Sequence, residues 1–159
     1  MEINLEYLGD NKFNAKTAKS SFILDAKEIT PVEYFAIGII GCTGVDLVTF
    51  ADKDGYLVNN YSVKAQIQRQ LDVPYKFKSL HVIYKFDGSF DDIKAKRYIL
   101  ASLESYCTTI NSIRDSVEVF YTIIYNGKTI ANKESIISGG GSNSGGIILD
   151  DGFGGACCS

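Results

Sequence analysis

One apolar segment limits what this chain can fold into. Residues 34–45 carry no charged side chain and are flanked by Glu33 and Asp46. Just before them, Thr30-Pro31 offers an N-cap residue followed by proline at the first helical position, so a helix is predicted to begin there and to end near residues 52–55. Because its apolar side chains point in nearly every direction, this helix must lie at the centre of a fold or of a dimer.

Three glycines interrupt this helix at a regular spacing, namely Gly38, Gly41 and Gly44. Glycine costs up to about 1 kcal/mol at each interior helix position, so three together need a packing reason. They form one smooth stripe, which predicts the close approach of another backbone.

Other periodicities place strands and a second helix around this segment. Imperfect alternation in residues 2–26 predicts a meander of two or three strands. Alternation in residues 61–67 and 80–84 predicts two long strands, and residues 116–125 a final one. Helical spacing over residues 91–114 puts Ile93, Ile99, Leu100, Leu103, Tyr106, Cys107 and Ile110 on one face. The expected class is α+β.

The composition changes after Ser138, where glycine and serine dominate. We therefore predict a domain over residues 1–135 and a flexible tail over residues 136–159. The tail carries Cys157 and Cys158 side by side. Adjacent Cα atoms are about 3.8 Å apart, so a disulfide between them would be strained and easily reduced. Three alternatives stay open for this pair: an electron shuttle, a carrier of metal or another modification, and an inert terminus.

Several classes of partner are disfavoured by composition. The formal net charge of the 159-residue chain is -3, which gives no electrostatic reason to expect nucleic acid or an anionic membrane. The apolar segment is shorter than the ~18 residues that suggest a bilayer span. The N-terminus lacks a secretory signal, which predicts the reducing cytoplasm. His81 is the only histidine, and no Cys-x-x-Cys or phosphate-binding loop occurs, so no metal or cofactor is expected.

Three segments carry a family resemblance: Pro31-Val32-Glu33-Tyr34, the run from Gly41 to Val48, and Tyr106-Cys107-Thr108-Thr109. With the order of elements and the 65 positions between Cys42 and Cys107, residues 2–125 resemble the OsmC/Ohr family. The Pro-x-Glu pattern is most similar to its less characterised branch. The resemblance implies an OsmC-like fold, in which antiparallel sheets wrap two long central helices in an intertwined homodimer.

The resemblance also implies a chemistry for the two cysteines and Glu33. Cys42 would be the peroxidatic thiolate that attacks a small apolar hydroperoxide, and Cys107 would resolve the resulting sulfenic acid into a disulfide. Glu33 would complete the catalytic set, and a thiol reductant protein would restore the dithiol. The implied role is defence against oxidative stress.

The residues themselves leave alternatives open. Hydroperoxide reductases of this family carry an N-terminal arginine, but residues 1–68 contain none, so the candidate cations near a thiolate are Lys16, Lys19 and Arg114. Asp46 lies one helical turn after Cys42 and so on its face. Glu33 is also placed to cap the helix. A thiol peroxidase is favoured, and the alternative is a non-catalytic OsmC-like binding or carrier protein that uses its tail cysteines.

Overall fold

The computed structural model describes residues 1–137, and the chain divides into two compact units, residues 1–38 and the residues from Ile39 onward. The first unit contains a three-stranded antiparallel meander with β2 in the middle. Its strands are β1 (Ile3–Gly9), β2 (Lys12–Thr17) and β3 (Ser21–Asp25). This confirms the predicted meander.

The long apolar helix α1 (Pro31–Lys53) begins and ends where its sequence predicts. The Oγ1 and backbone N–H of Thr30 donate hydrogen bonds of 2.7 and 2.8 Å to Oε2 of Glu33, and the N–H of Glu33 donates in return to Thr30 Oγ1 at 3.3 Å. This reciprocal pair is a capping box. After the helix, Gly55 adopts a φ of 77°, which glycine tolerates without strain.

By length and composition α1 would suffice to cross a membrane, a criterion that core helices of globular domains also meet. In the second unit one side of α1 is buried in the core, and the buried side chains include Asp46. The buried residues of α1 are Ile39, Thr43, Gly44, Asp46, Leu47, Phe50 and Ala51.

The second unit contains a four-stranded sheet in the order β4-β5-β6-β7. Its strands are β4 (Val58–Arg69), β5 (Phe77–Gly88), β6 (Glu118–Tyr125) and β7 (Lys128–Ser135). The expectation of purely antiparallel sheets is corrected here, because β5 and β6 pair in parallel. Parallel neighbours need a long crossover, and the helical segments between residues 92 and 113 supply it.

Strand β7 was not predicted. It pairs antiparallel with β6 through a tight turn at Asn126-Gly127, whose φ angles are 48° and 76°. Two successive positive φ angles define a type I′ turn, for which Asn-Gly is the preferred sequence. The signal was therefore present in the sequence.

The second helical segment is interrupted, which corrects the prediction of one continuous helix over residues 91–114. It consists of α2 (Asp92–Ala101), a π-helical turn (Ser102–Tyr106), an extended residue at Cys107 and the short helix α3 (Thr108–Ile113). Ile93, predicted on the buried face, is 82% exposed. The OsmC-like α+β class is otherwise as expected.

The glycine stripe of α1 packs differently along its length. A Cβ atom at Gly44 would lie 3.4 Å from Tyr61 Oη and from Val63 Cγ2, both on β4. Tyr61 also donates a 3.0 Å hydrogen bond to the Gly44 carbonyl. Within residues 1–137, a Cβ at Gly38 or Gly41 would meet nothing within 4 Å. At Gly44 the stripe therefore packs against side chains of β4, and not against another backbone as predicted.

Candidate active site

The fold brings Cys42 and Cys107 together with Asp46. The two Sγ atoms and a carboxylate oxygen of Asp46 all lie within 4.8 Å of one another. Cys107 is buried whereas Cys42 is partly exposed. No disulfide joins the two cysteines, and because an S–S bond is about 2.05 Å long, a modest movement would be enough to form one.

Helix α1 positions two of these three groups. Cys42 and Asp46 are four residues apart, so one helical turn places their side chains on the same face. The third group comes from the break in the second helical segment. Cys107 has φ −70° and ψ 104°, and its N–H donates to the Ser102 carbonyl at 2.8 Å, which closes the π-helical turn.

Thr109 contacts the sulfur of Cys107. Its Oγ1 lies 3.2 Å from Cys107 Sγ and donates to the Ile39 carbonyl at 3.3 Å. A threonine hydroxyl has one hydrogen, so it serves either the carbonyl or a thiolate at one time. The bond between Thr109 and Cys107 can run in either direction, and a bond from the hydroxyl to the sulfur favours the thiolate.

Burial raises the pKa of Cys107 from 9.0 to about 12, and the neighbouring Cys42 side chain raises it further against the opposing bonds from Thr109 and Ile110. Desolvation disfavours the charged thiolate. Cys107 is therefore a neutral thiol near pH 7. Cys42 is the more exposed of the two residues.

A chain of buried hydroxyls ends on Asp46. Ser102 Oγ donates to Asp46 Oδ2 at 2.7 Å, Thr43 Oγ1 lies 2.8 Å from Ser102 Oγ, and Tyr84 Oη lies 2.6 Å from Thr43 Oγ1. Each hydroxyl has one hydrogen. Because Ser102 gives its own to Asp46, Thr43 must donate to Ser102, and Tyr84 must donate to Thr43. Burial also raises the pKa of Tyr84 well above its usual value, which keeps this donor protonated.

The other oxygen of Asp46 is unsatisfied. Asp46 is 1% exposed, and its Oδ1 is the buried side-chain polar atom without a hydrogen-bond partner among residues 1–137. Buried polar groups are nearly always paired, so such an atom calls for an explanation.

The remaining predicted residues have other contacts. Glu33 caps α1 through Thr30, and these hydrogen bonds lower the pKa of its carboxyl. Lys16 lies on β2 and pairs with Glu6 at 3.1 Å. Arg114 donates from Nη1 to the Glu104 carbonyl at 3.0 Å, and the helix break corrects its placement on the face of Cys107. Cys157 and Cys158 lie outside the described residues.

Four polar residues around the two thiols were missed by sequence reasoning. They are Thr43, Tyr84, Ser102 and Thr109. Of these, Thr43 and Thr109 fall inside the segments that carry the family resemblance. Tyr84 and Ser102 carry no local signal, because strand alternation and helical spacing predict only that they are buried.

Comparison with known proteins agrees with this architecture. Residues 24–122 match the family model described as OsmC-like protein. No curated protein sequence matches the chain.

Solved structures share the fold at low sequence identity. A hypothetical protein from Aquifex aeolicus is 20% identical with a TM-score of 0.69, over 79% of this chain and 96% of that one. An OsmC-like protein from Mycoplasma pneumoniae is 12% identical with a TM-score of 0.67, over 78% and 95%. A Legionella pneumophila organic hydroperoxide resistance protein OsmC is 18% identical with a TM-score of 0.56, over 77% and 96%.

The family model spans most of the described chain and includes both the helix that carries Cys42 and the segment that carries Cys107. The two-sheet α+β architecture and the solved structures agree with it. The chain therefore belongs to the OsmC-like protein family.

Proposed function

We propose that this protein reduces organic hydroperoxides with Cys42 and Cys107. The Cys42 thiolate attacks the distal peroxide oxygen, the O–O bond breaks, and the alkoxide leaves and takes a proton to become an alcohol. Cys42 is then a sulfenic acid. Cys107 displaces its hydroxyl as water and forms the disulfide, so one hydroperoxide consumes two thiols. An external thiol reductant returns the disulfide to the dithiol.

The observation that carries this proposal is the approach of the two sulfurs. They are separated by 65 positions in sequence but lie within 4.8 Å in the fold. Their unequal exposure suits unequal roles, since Cys42 meets the oxidant and the buried Cys107 resolves it. The name of the Legionella pneumophila relative, an organic hydroperoxide resistance protein, gives further support for the substrate class.

We extend the proposal to a homodimer built on α1. Ile37, Gly41, Val45 and Val48 follow one another at helical spacing on one face, and the three aliphatic side chains are 52%, 52% and 45% exposed in the single chain. An exposed apolar stripe with an open glycine suits the matching helix of a second copy. We expect Gly41→Leu to convert a dimer to a monomer in analytical ultracentrifugation.

The remaining partners follow from the thiol chemistry. We propose a small apolar hydroperoxide as substrate, a thiol reductant protein as electron donor and the reducing cytoplasm as the location. Cys157 and Cys158 are proposed to pass electrons to the pair. Equal turnover by the full chain and by a chain ending at Ser138 would rule out that shuttle.

Two observations favour a second candidate, a non-catalytic carrier of an apolar ligand. Residues 1–68 contain no arginine, and the carboxylate of Asp46 lies beside the two thiols. A nearby negative charge disfavours a thiolate unless a cation compensates it.

Mass spectrometry after treatment with one equivalent of an organic hydroperoxide distinguishes the peroxidase from the carrier. We expect a disulfide between Cys42 and Cys107, formed faster than free cysteine oxidises. If Cys42 stays reduced while bulk thiols oxidise at the rate of free cysteine, the peroxidase proposal fails and the carrier is favoured.

A further inference from the structure

The carboxylate of the buried Asp46 has one oxygen, Oδ1, without a hydrogen-bond partner among residues 1–137, and one of its two oxygens lies within 4.8 Å of both sulfurs. Among residues 1–137, Cys42, Asp46 and Cys107 are the group of at least three metal-ligating side chains whose donor atoms converge. We propose that these three residues form a binding site for Zn²⁺. This site goes beyond the peroxidase proposal and does not depend on it.

The geometry of the three donors suits a tetrahedral ion. With Zn–S bonds of about 2.3 Å and Zn–O bonds of about 2.1 Å, tetrahedral ligands stand about 3.8 Å apart for two sulfurs and about 3.6 Å for sulfur and oxygen. The donors of this site all lie within 4.8 Å of one another. Movements of the donor atoms by up to about 1 Å would therefore bring the two sulfurs and the carboxylate oxygen to bonding distance from the ion.

The hydroxyl chain prepares Asp46 for this role. Ser102 donates to Oδ2, while Oδ1 has no partner within the described part of the chain. A hydrogen bond on one carboxylate oxygen orients the other toward a metal, as outer partners do at zinc sites in general. The proposal thus explains both the satisfied and the unsatisfied oxygen of the same buried carboxylate.

The donor set selects among metals. Thiolate ligands prefer Zn²⁺ and other soft or borderline ions, whereas Mg²⁺ and Ca²⁺ prefer oxygen ligands alone. Three protein ligands leave a fourth tetrahedral position open. The partial exposure of Cys42 indicates that this position is reached from solvent.

A metal-binding titration tests the site directly. The probe is Co²⁺ under anaerobic, reducing conditions, added to the full chain with Cys157→Ser and Cys158→Ser so that tail thiols do not contribute. We expect one Co²⁺ per chain, with thiolate-to-cobalt charge-transfer bands and the intense visible bands of a tetrahedral site, and one equivalent of Zn²⁺ should bleach both.

Substitutions then assign the ligands. Cys42→Ser and Cys107→Ser should each remove part of the charge-transfer intensity, and Asp46→Asn should weaken Zn²⁺ binding by roughly tenfold or more. Asp52→Asn, at an exposed position of the same helix, is the matched control and should leave binding unchanged. Circular dichroism checks that each variant is folded, and the cysteine variants decide the question if Asp46→Asn is not.

The proposal is overturned if Co²⁺ shows no saturable binding at one per chain, or if the folded cysteine or Asp46→Asn variants bind as tightly as the parent. Because the readout is metal binding, its failure would leave the peroxidase proposal intact. Failure of hydroperoxide reduction would likewise leave the zinc site to be judged by titration alone.

Discussion

Ser102 Oγ donates a 2.7 Å hydrogen bond to Asp46 Oδ2 across 56 positions of sequence. This bond fastens the π-helical turn before Cys107 to the helix that carries Cys42. It therefore connects the local structure around one thiol to that around the other, and it terminates the hydroxyl chain that begins at Tyr84.

Removing the Ser102 hydroxyl should destabilise the domain. In Ser102→Ala the buried Asp46 carboxylate loses its donor and Thr43 loses its acceptor, which costs roughly 1–3 kcal/mol in the free energy of unfolding. Ser112→Ala is the matched control, since Ser112 makes an exposed bond to the Thr108 carbonyl within α3. Urea denaturation at fixed protein concentration measures both, and equal midpoints would contradict a structural role for the buried bond.

Removing the resolving thiol should trap the first oxidation product. In Cys107→Ser we expect one equivalent of an organic hydroperoxide to leave a sulfenic acid on Cys42, because no nearby thiol displaces its hydroxyl. Dimedone labelling and mass spectrometry detect the adduct, with Cys157→Ser and Cys158→Ser in the background. The assignment of roles would be reversed if Cys42→Ser accumulated the adduct on Cys107 instead.

The helix cap separates two roles for Glu33. Thr30→Ala removes the two bonds of the Thr30 hydroxyl, leaves the backbone bond to Glu33 in place, and should lower the free energy of unfolding by about 1 kcal/mol. Glutamine also serves in a capping box, so Glu33→Gln should unfold near the parent temperature.

The implied catalytic role of Glu33 makes a different prediction. If the charge on Glu33 acts in catalysis, Glu33→Gln slows the oxidation of Cys42 by hydroperoxide while Thr30→Ala does not. Stopped-flow measurement of thiol loss compares the two variants. A parent-like rate in Glu33→Gln would leave capping as the function of this residue.

The raised pKa of Cys107 predicts that the free energy of unfolding depends on pH in the alkaline range. Its pKa is 9.0 when unfolded and about 12 in the fold, so the folded state holds the proton more tightly. This contribution is fully present below about pH 9 and is lost as pH rises toward 12. Tyrosines titrate in the same range, so the measurement is the difference between the parent and Cys107→Ser. A constant difference from pH 8 to pH 11 would contradict the raised pKa.

The same pKa governs alkylation at neutral pH. Thiolates react with iodoacetamide and neutral thiols do not, so Cys107 should be labelled far more slowly than free cysteine. Peptide mass spectrometry over a time course gives the rate at each position. Labelling of Cys107 at the rate of free cysteine would show that the folded thiol is neither buried nor neutral.

Local chemistry explains why much of the fold was predictable. The N-cap, the proline after it and the apolar run place α1 because these signals act within a few residues of one another. Strand alternation located β4 and β5 for the same reason, although each extends beyond the alternating core. The signal for strand β7 is equally local, because the Asn126-Gly127 turn joins it directly to β6.

The break at Cys107 was not local. Helical spacing continues through residues 102–113, so periodicity alone predicts one helix. The π-helical turn is held by bonds from distant residues, since Ser102 pairs with Asp46 and lies against Thr43. No pattern within the segment reports those partners.

By itself the sequence determined most of the helices and strands, the two domain cysteines and the carboxylate on the face of Cys42, because caps, alternation and helical spacing act between near neighbours. Only the tertiary structure decided that Cys107 reaches Cys42 and Asp46, that Cys107 is buried and neutral there, and that Asp46 keeps one buried oxygen unsatisfied. Those properties depend on which side chains from different elements surround each atom, and desolvation and hydrogen-bond satisfaction are set by that surrounding volume.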